Sequence, residues 1–81
     1  MIHSLSGGII SEYDNLIYVF VEVAHTKAWY ISPFPQIKAG DGVLVPCGGS
    51  SLKGQVLRVE NVTAQTAPWP VKRTKEVEAI L

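Results

Sequence analysis

With a single cysteine, Cys47, the 81-residue chain has no internal disulfide to form, and a domain this small in an oxidising compartment ordinarily carries several. That scarcity favours a reducing cytoplasm. Histidine is nearly absent as well: His3 and His25 make no CxxC or HxxxH spacing with each other or with Cys47, so neither a metal site nor a cofactor is expected. No apolar run approaches the roughly 20 residues needed to span a bilayer. The opening "MIHSLSGG" lacks both a basic start and a long apolar stretch, so nothing points to a membrane or to export.

Net charge is missing too. Seven basic residues balance seven acidic ones, which removes any whole-molecule attraction for nucleic acid or anionic lipid. The signs nevertheless segregate. Through residue 52, Lys27 and Lys38 stand against Glu12, Asp14, Glu22 and Asp41, whereas beyond it Lys53, Arg58, Lys72, Arg73 and Lys75 outnumber Glu60, Glu76 and Glu78. The second half is mildly basic.

Catalytic patterns are equally scarce. Cys47 follows Pro46 and precedes Gly48-Gly49, but a reactive thiolate needs a partner base or a strong positive field, and neither histidine is near it in sequence. The "GGSSLKG" stretch resembles a phosphate loop only in part, because a strand follows it where such loops require a helix N-terminus. No carboxylate spacing selects an acid and a base. The chain reads as a non-enzyme.

What is present is apolar sequence in short, punctuated runs. At 47% hydrophobic and 17% charged residues, the chain holds enough apolar surface for one compact domain over residues 1–81. "LIYVFVEVAH" (16–25) is dense in β-branched and aromatic residues and reads as a strand. Ile17, Val19, Val21 and Val23 form its core face, and Tyr18, Phe20, Glu22 and Ala24 its surface face. The polar break "HTK" (25–27) turns the chain into "AWYIS", and Pro33 and Pro35 make "PFPQIKAGD" a connection. "GVLVPC" and "LKGQVLRVENV" are the next strands, joined through Gly48-Gly49, with Gly54 suggesting a bulge or a sharp bend.

After the turn-rich "TAQTAPWP", Val77, Ile80 and Leu81 fall at i, i+3 and i+4, which suits a short amphipathic helix over 72–81; an extended Thr74–Val77 is the alternative. Residues 1–14 read as an edge strand or a frayed tail. The fold class is therefore all-β: a small antiparallel barrel of SH3-like or related type, four to five strands, with a short C-terminal helix.

Aromatic residues beside basic ones are the one functional signal. Trp29, Tyr30 and Phe34 follow Lys27, and Trp69 precedes Lys72, Arg73 and Lys75. Small barrels bind single strands by stacking next to positive charge, although aromatic residues in so small a chain also serve as core.

The order "AWYI…IKAGDGVLVPCG…LKGQVLRV…PWPVKRTK" resembles the amino-terminal DNA-binding domain of the primosomal replication-restart helicases, with its "KxGxxVxVPFG" segment, its "GxV" strand and its "LK" exit. It is also similar to small bacterial and phage proteins of the pattern "Y…K.GD.V.VP.G…GxV…APYP…K". The similarity covers roughly residues 28 to 75. It implies a pocket for the 3′ end of a DNA strand, lined by an aromatic–Asp pair, a loop glycine and a lysine. Gly48 stands at the glycine, Lys75 at the lysine, and Ala28 and Trp29 replace the Phe and Asp.

The expectation is a non-enzymatic binding module for single-stranded or 3′-ended DNA, or for a replication or repair protein. Its candidate residues are Gly48, Lys75, Trp29, Trp69, Lys72 and Arg73. The alternative is a structural or protein-interaction domain, oligomeric through an exposed Tyr18 and Phe20 or an open strand edge.

Overall fold

A computed structural model of the chain describes residues 15–81, so the reading of residues 1–14 as an edge strand or tail lies outside the described residues. Five strands form one antiparallel sheet: β1 (Leu16–Val23), β2 (Thr26–Ile31), β3 (Gly42–Cys47), β4 (Ser50–Val62) and β5 (Ala79–Ile80), in the order β2-β1-β4-β3-β5. Among the described residues no helix is long and apolar enough to cross a membrane.

Strand β1 is the organiser. Val19, Val21 and Val23 enter the main core with Tyr30, Val43, Val45, Val56 and Val77, because β-branched residues alternating along neighbouring strands point to one side of the pleat. The opposite face does not stay at the surface as alternation suggests. Tyr18 is wholly buried and, with Leu16 and Ile31, forms a second small core under Trp29, Val62, Ala67 and Val71. The cover is the turn-rich segment after β4, which folds back across the sheet. The Tyr18 hydroxyl anchors it by donating to the Trp69 carbonyl at 2.8 Å, with Thr74 Oγ1 at 3.3 Å. A dimer face that uses Tyr18 is thereby excluded.

Both hairpins have two-residue turns with positive φ at each position. Gly48 (57°) and Gly49 (84°) fill one, between the paired residues Cys47 and Ser50, as the glycine pair suggests. The other is made by Ala24 (50°) and His25 (65°), so the β1–β2 turn sits one residue earlier than the "HTK" break implies, and Thr26 and Lys27 belong to β2. Closing the Lys38–Asp41 turn, Asp41 N–H donates to the Lys38 carbonyl at 3.1 Å, with Gly40 at φ 95° where only glycine is unstrained.

Gly54 is not a bulge. The register shift lies later, where Phe20 faces Arg58 but Val21 faces Val56, leaving Leu57 as the extra residue. It reverses the alternation of β4: Arg58, which simple alternation puts on the face of Val56, is exposed, and Val59 packs against the core instead. Gly54 is required by close approach. A Cβ there would lie 2.6 Å from methyl carbons of both Val21 and Val23, and 3.0 Å from the Glu22 carbonyl oxygen.

The C-terminal helix over 72–81 is corrected. Only Val71–Arg73 make a 3-10 turn, after which the chain is extended. Val77 N–H donates to the Ile31 carbonyl at 2.8 Å, Glu78 N–H to the Leu44 carbonyl at 2.7 Å, and Leu81 N–H to the Gly42 carbonyl at 2.8 Å. A ten-residue helix is too short to hold itself in water, whereas the extended form gains bonds to two strand edges. The i, i+3, i+4 stripe is only apparent, because Val77 is buried while Leu81 is 62% exposed. The stretch touches both edges of the sheet, β2 through the parallel bridge Ile31–Glu76 and β3 through β5.

Candidate functional site

Among the described residues nothing pairs with the β2 edge beyond the bridge at Ile31. Ile31 N–H donates outward to the Lys75 carbonyl at 2.9 Å and its carbonyl accepts from Val77, so by the two-residue repeat of a strand Trp29 and Lys27 also turn their N–H and C=O groups away from β1. Opposite them runs the far end of β3. The Gly42 and Leu44 carbonyls serve the β5 side, and Pro46, two residues on, has no N–H to present there. The gap between these two strand ends is a cavity of about 400 Å³.

Three segments wall it. Strand β2 contributes Lys27, Ala28, Trp29 and Tyr30, residues from both sheet faces, so the cavity wraps around the strand edge itself. The β3 hairpin contributes Pro46, Cys47 and Gly48, and the C-terminal segment contributes Trp69, Arg73 and Lys75. Phe20 completes the floor. It faces Trp29 directly across β1 and β2, and because Trp29 bonds outward this is a non-hydrogen-bonded pair, whose side chains approach closest. The two rings have centroids 4.9 Å apart, and Tyr18 supports Trp29 from the buried side at 6.3 Å.

The charge at the site is one-signed. Among the described residues the ion pairs are Lys38–Asp41 and Arg58–Glu60, so Lys27, Arg73 and Lys75 carry no salt-bridged carboxylate. Among the described residues no Asp or Glu lines the cavity, although exposed Glu22 lies across from Lys27 in the β1–β2 register. Burial pushes the Tyr30 hydroxyl above its usual pKa, and the nearby Cys47 adds to the shift. It is therefore a neutral donor at physiological pH. Burial also raises the Glu76 carboxyl, whose Oε2 is enclosed without a hydrogen-bond partner among the described residues; Glu76 is not in the cavity wall.

Of the residues singled out from the sequence, Gly48, Lys75, Trp29, Trp69 and Arg73 line this one cavity, although they come from three distant stretches of chain. Lys72 does not; it is exposed in the 3-10 turn. Phe34 packs against the main core. Trp69 is 46% exposed, whereas Trp29 is partly committed to the second core. Phe20, Lys27, Pro46 and Cys47 were not among the candidates. The signal for Phe20 was the turn: it stands four residues before Ala24, as Trp29 stands four after His25, and a two-residue hairpin makes such residues partners.

Among the described residues no three His, Cys, Asp or Glu side chains gather where a metal ion could be held. Exposed Cys47 lines the cavity, and among the described residues no histidine stands in the wall. Chemically, the cavity can stack a planar ring and hold negative charge. No protein-family model matches the chain, and no curated protein or solved structure is significantly similar to it.

Proposed function

We propose that the chain is a non-enzymatic binding module, a cytoplasmic barrel of SH3-like or related type, that seats single-stranded DNA in the cavity between β2 and the β3 hairpin. The supporting observation is the convergence of an exposed indole, Trp69, with three cations, Lys27, Arg73 and Lys75, that form no salt bridge among the described residues, in a volume of about 400 Å³. Bases stack on aromatic side chains irrespective of sequence, and cations follow the phosphates. The resemblance to the replication-restart helicase domain agrees with this reading, since Ala28, Trp29, Gly48 and Lys75, the four positions it marks, all line the same cavity. A role beside DNA replication or repair follows from that resemblance.

Zero net charge makes the expected affinity modest, and contacts from the three cations to phosphates make it salt-dependent. The test is fluorescence anisotropy with a labelled oligothymidine at low salt. Stacking is worth about 1–3 kcal/mol per base by alanine substitution, so Trp69→Ala should weaken binding by about 5- to 150-fold. Wild-type affinity in the Trp69→Ala protein would remove the reading.

A further inference from the structure

We infer that the group this cavity selects is a terminal phosphate monoester on the last nucleotide of a strand, not a terminal sugar hydroxyl. This rests on the nucleic-acid reading above and goes further by naming the end chemistry.

The polar groups of the wall are of one kind. Lys27 and Lys75 bring ammonium groups, Arg73 a guanidinium fork that fits two phosphate oxygens at once, and Tyr30 a neutral hydroxyl. The β2 edge adds the outward N–H groups of Lys27 and Trp29. Among the described residues of the wall there is no Asp or Glu to act as a charged acceptor. A sugar hydroxyl, recognised above all as a donor, meets no carboxylate among the described residues of the wall. A phosphate group, an acceptor throughout, meets cations on two sides.

Charge and size narrow the choice further. An internal phosphodiester carries one negative charge, whereas a terminal monoester carries about −1.5 to −2 near neutral pH and exposes three acceptor oxygens. Three cations from two separate elements, β2 and the C-terminal segment, around one cavity match the second better than the first. Pockets for small ligands run from about 300 to 1,000 Å³. A volume of about 400 Å³ accommodates one terminal nucleotide, its base against Trp69 and its phosphate among Lys27, Arg73 and Lys75.

The experiment is a competition series against a labelled oligothymidine at low salt, using unlabelled oligothymidines that end in a 3′-hydroxyl, a 3′-phosphate or a 5′-phosphate, a circular oligothymidine, and inorganic phosphate. Charge-assisted hydrogen bonds are worth about 1.5–3 kcal/mol, so one phosphorylated end should compete about tenfold or more better than its hydroxyl counterpart. Which end wins assigns the polarity of the strand. The advantage should shrink to below about threefold in Arg73→Gln and in Lys75→Gln, one charge-assisted contact being lost in each. The same oligonucleotide should slow alkylation of Cys47, the only cysteine and a cavity-lining residue. Equal competition by hydroxyl and phosphate ends overturns the inference while the nucleic-acid reading stands. Inorganic phosphate competing as well as the oligonucleotide, or unaltered Cys47 alkylation, overturns it too. If no oligonucleotide binds, both readings fall.

Discussion

At the scale of single residues, two positions carry more of the fold than their size suggests. Gly54 lets β4 lie against Val21 and Val23, whose β-branched side chains are too stiff to swing aside. The Gly54→Ala variant is expected to lose about 1–3 kcal/mol, the usual range for overpacking a core, read as a lower midpoint in urea unfolding. The Ala24–His25 turn errs in the other direction, since both residues adopt a left-handed conformation that neither favours. Replacing the pair by Asn-Gly should raise stability by about 1 kcal/mol or more and shift the thermal midpoint upward, with the hairpin register unchanged.

These two sites also mark what was legible locally. The glycine pair at 48–49 announces its own turn because only glycine adopts such φ values freely, whereas Ala24–His25 has no such signature and was displaced by one residue toward the polar "HTK". The presence of Gly54 was informative but ambiguous. A glycine inside a strand signals either an irregular backbone or a close neighbour, and only the position of Val21 and Val23 across the pair decides between them.

At the scale of elements, the strands were readable and their covers were not. Periodicity identifies β1 and its valine face, but it assigns Tyr18 to the surface, because nothing within the strand shows that residues 63–74 will return over it. The same blindness produced the C-terminal helix. Val77, Ile80 and Leu81 have helical spacing, yet the bonds that hold this stretch extended are made to Ile31, Leu44 and Gly42, each more than thirty residues away in sequence. Open strand edges recruit whatever chain can reach them, and local pattern carries no record of that.

The Tyr18 hydroxyl is the clearest link between the cover and the site, since its acceptor is the carbonyl of Trp69 itself. Tyr18→Phe keeps the buried ring and removes only that bond. It should cost about 1 kcal/mol of stability. Because the segment that presents Trp69 is then less firmly held, oligonucleotide affinity should also fall. Unchanged amide exchange at residues 67–74 in Tyr18→Phe, measured by hydrogen–deuterium exchange, would show that the bond does not hold the cover.

At the scale of the whole molecule, the fold accounts for why the candidate residues lie so far apart in sequence. A sheet whose C-terminal stretch reaches both edges brings β2, the β3 hairpin and the C-terminal segment to one end of the structure, where no pairing among the described residues joins β2 to β3 beyond Ile31 and Leu44. Trp29, Gly48, Trp69, Arg73 and Lys75 were legible as residue types in a basic and aromatic setting. That they share a cavity was not, since the convergence depends on the strand order and on the chain's final turn. Charge follows the same logic: the molecule is neutral overall, yet three of its seven basic side chains gather around one opening, with no acidic residue in the wall among the described residues.

The central claim is that this opening is where a nucleic-acid strand is held. It is tested most directly by titrating isotopically labelled protein with single-stranded oligothymidine at low salt and following the backbone and indole N–H resonances. The account predicts that the largest shifts map to Lys27, Trp29, Gly48, Trp69, Arg73 and Lys75, with Lys53 and Arg58 on exposed β4 positions little changed. Shifts confined to the Lys53 and Arg58 region, or none at the cavity residues at saturating oligonucleotide, would contradict it.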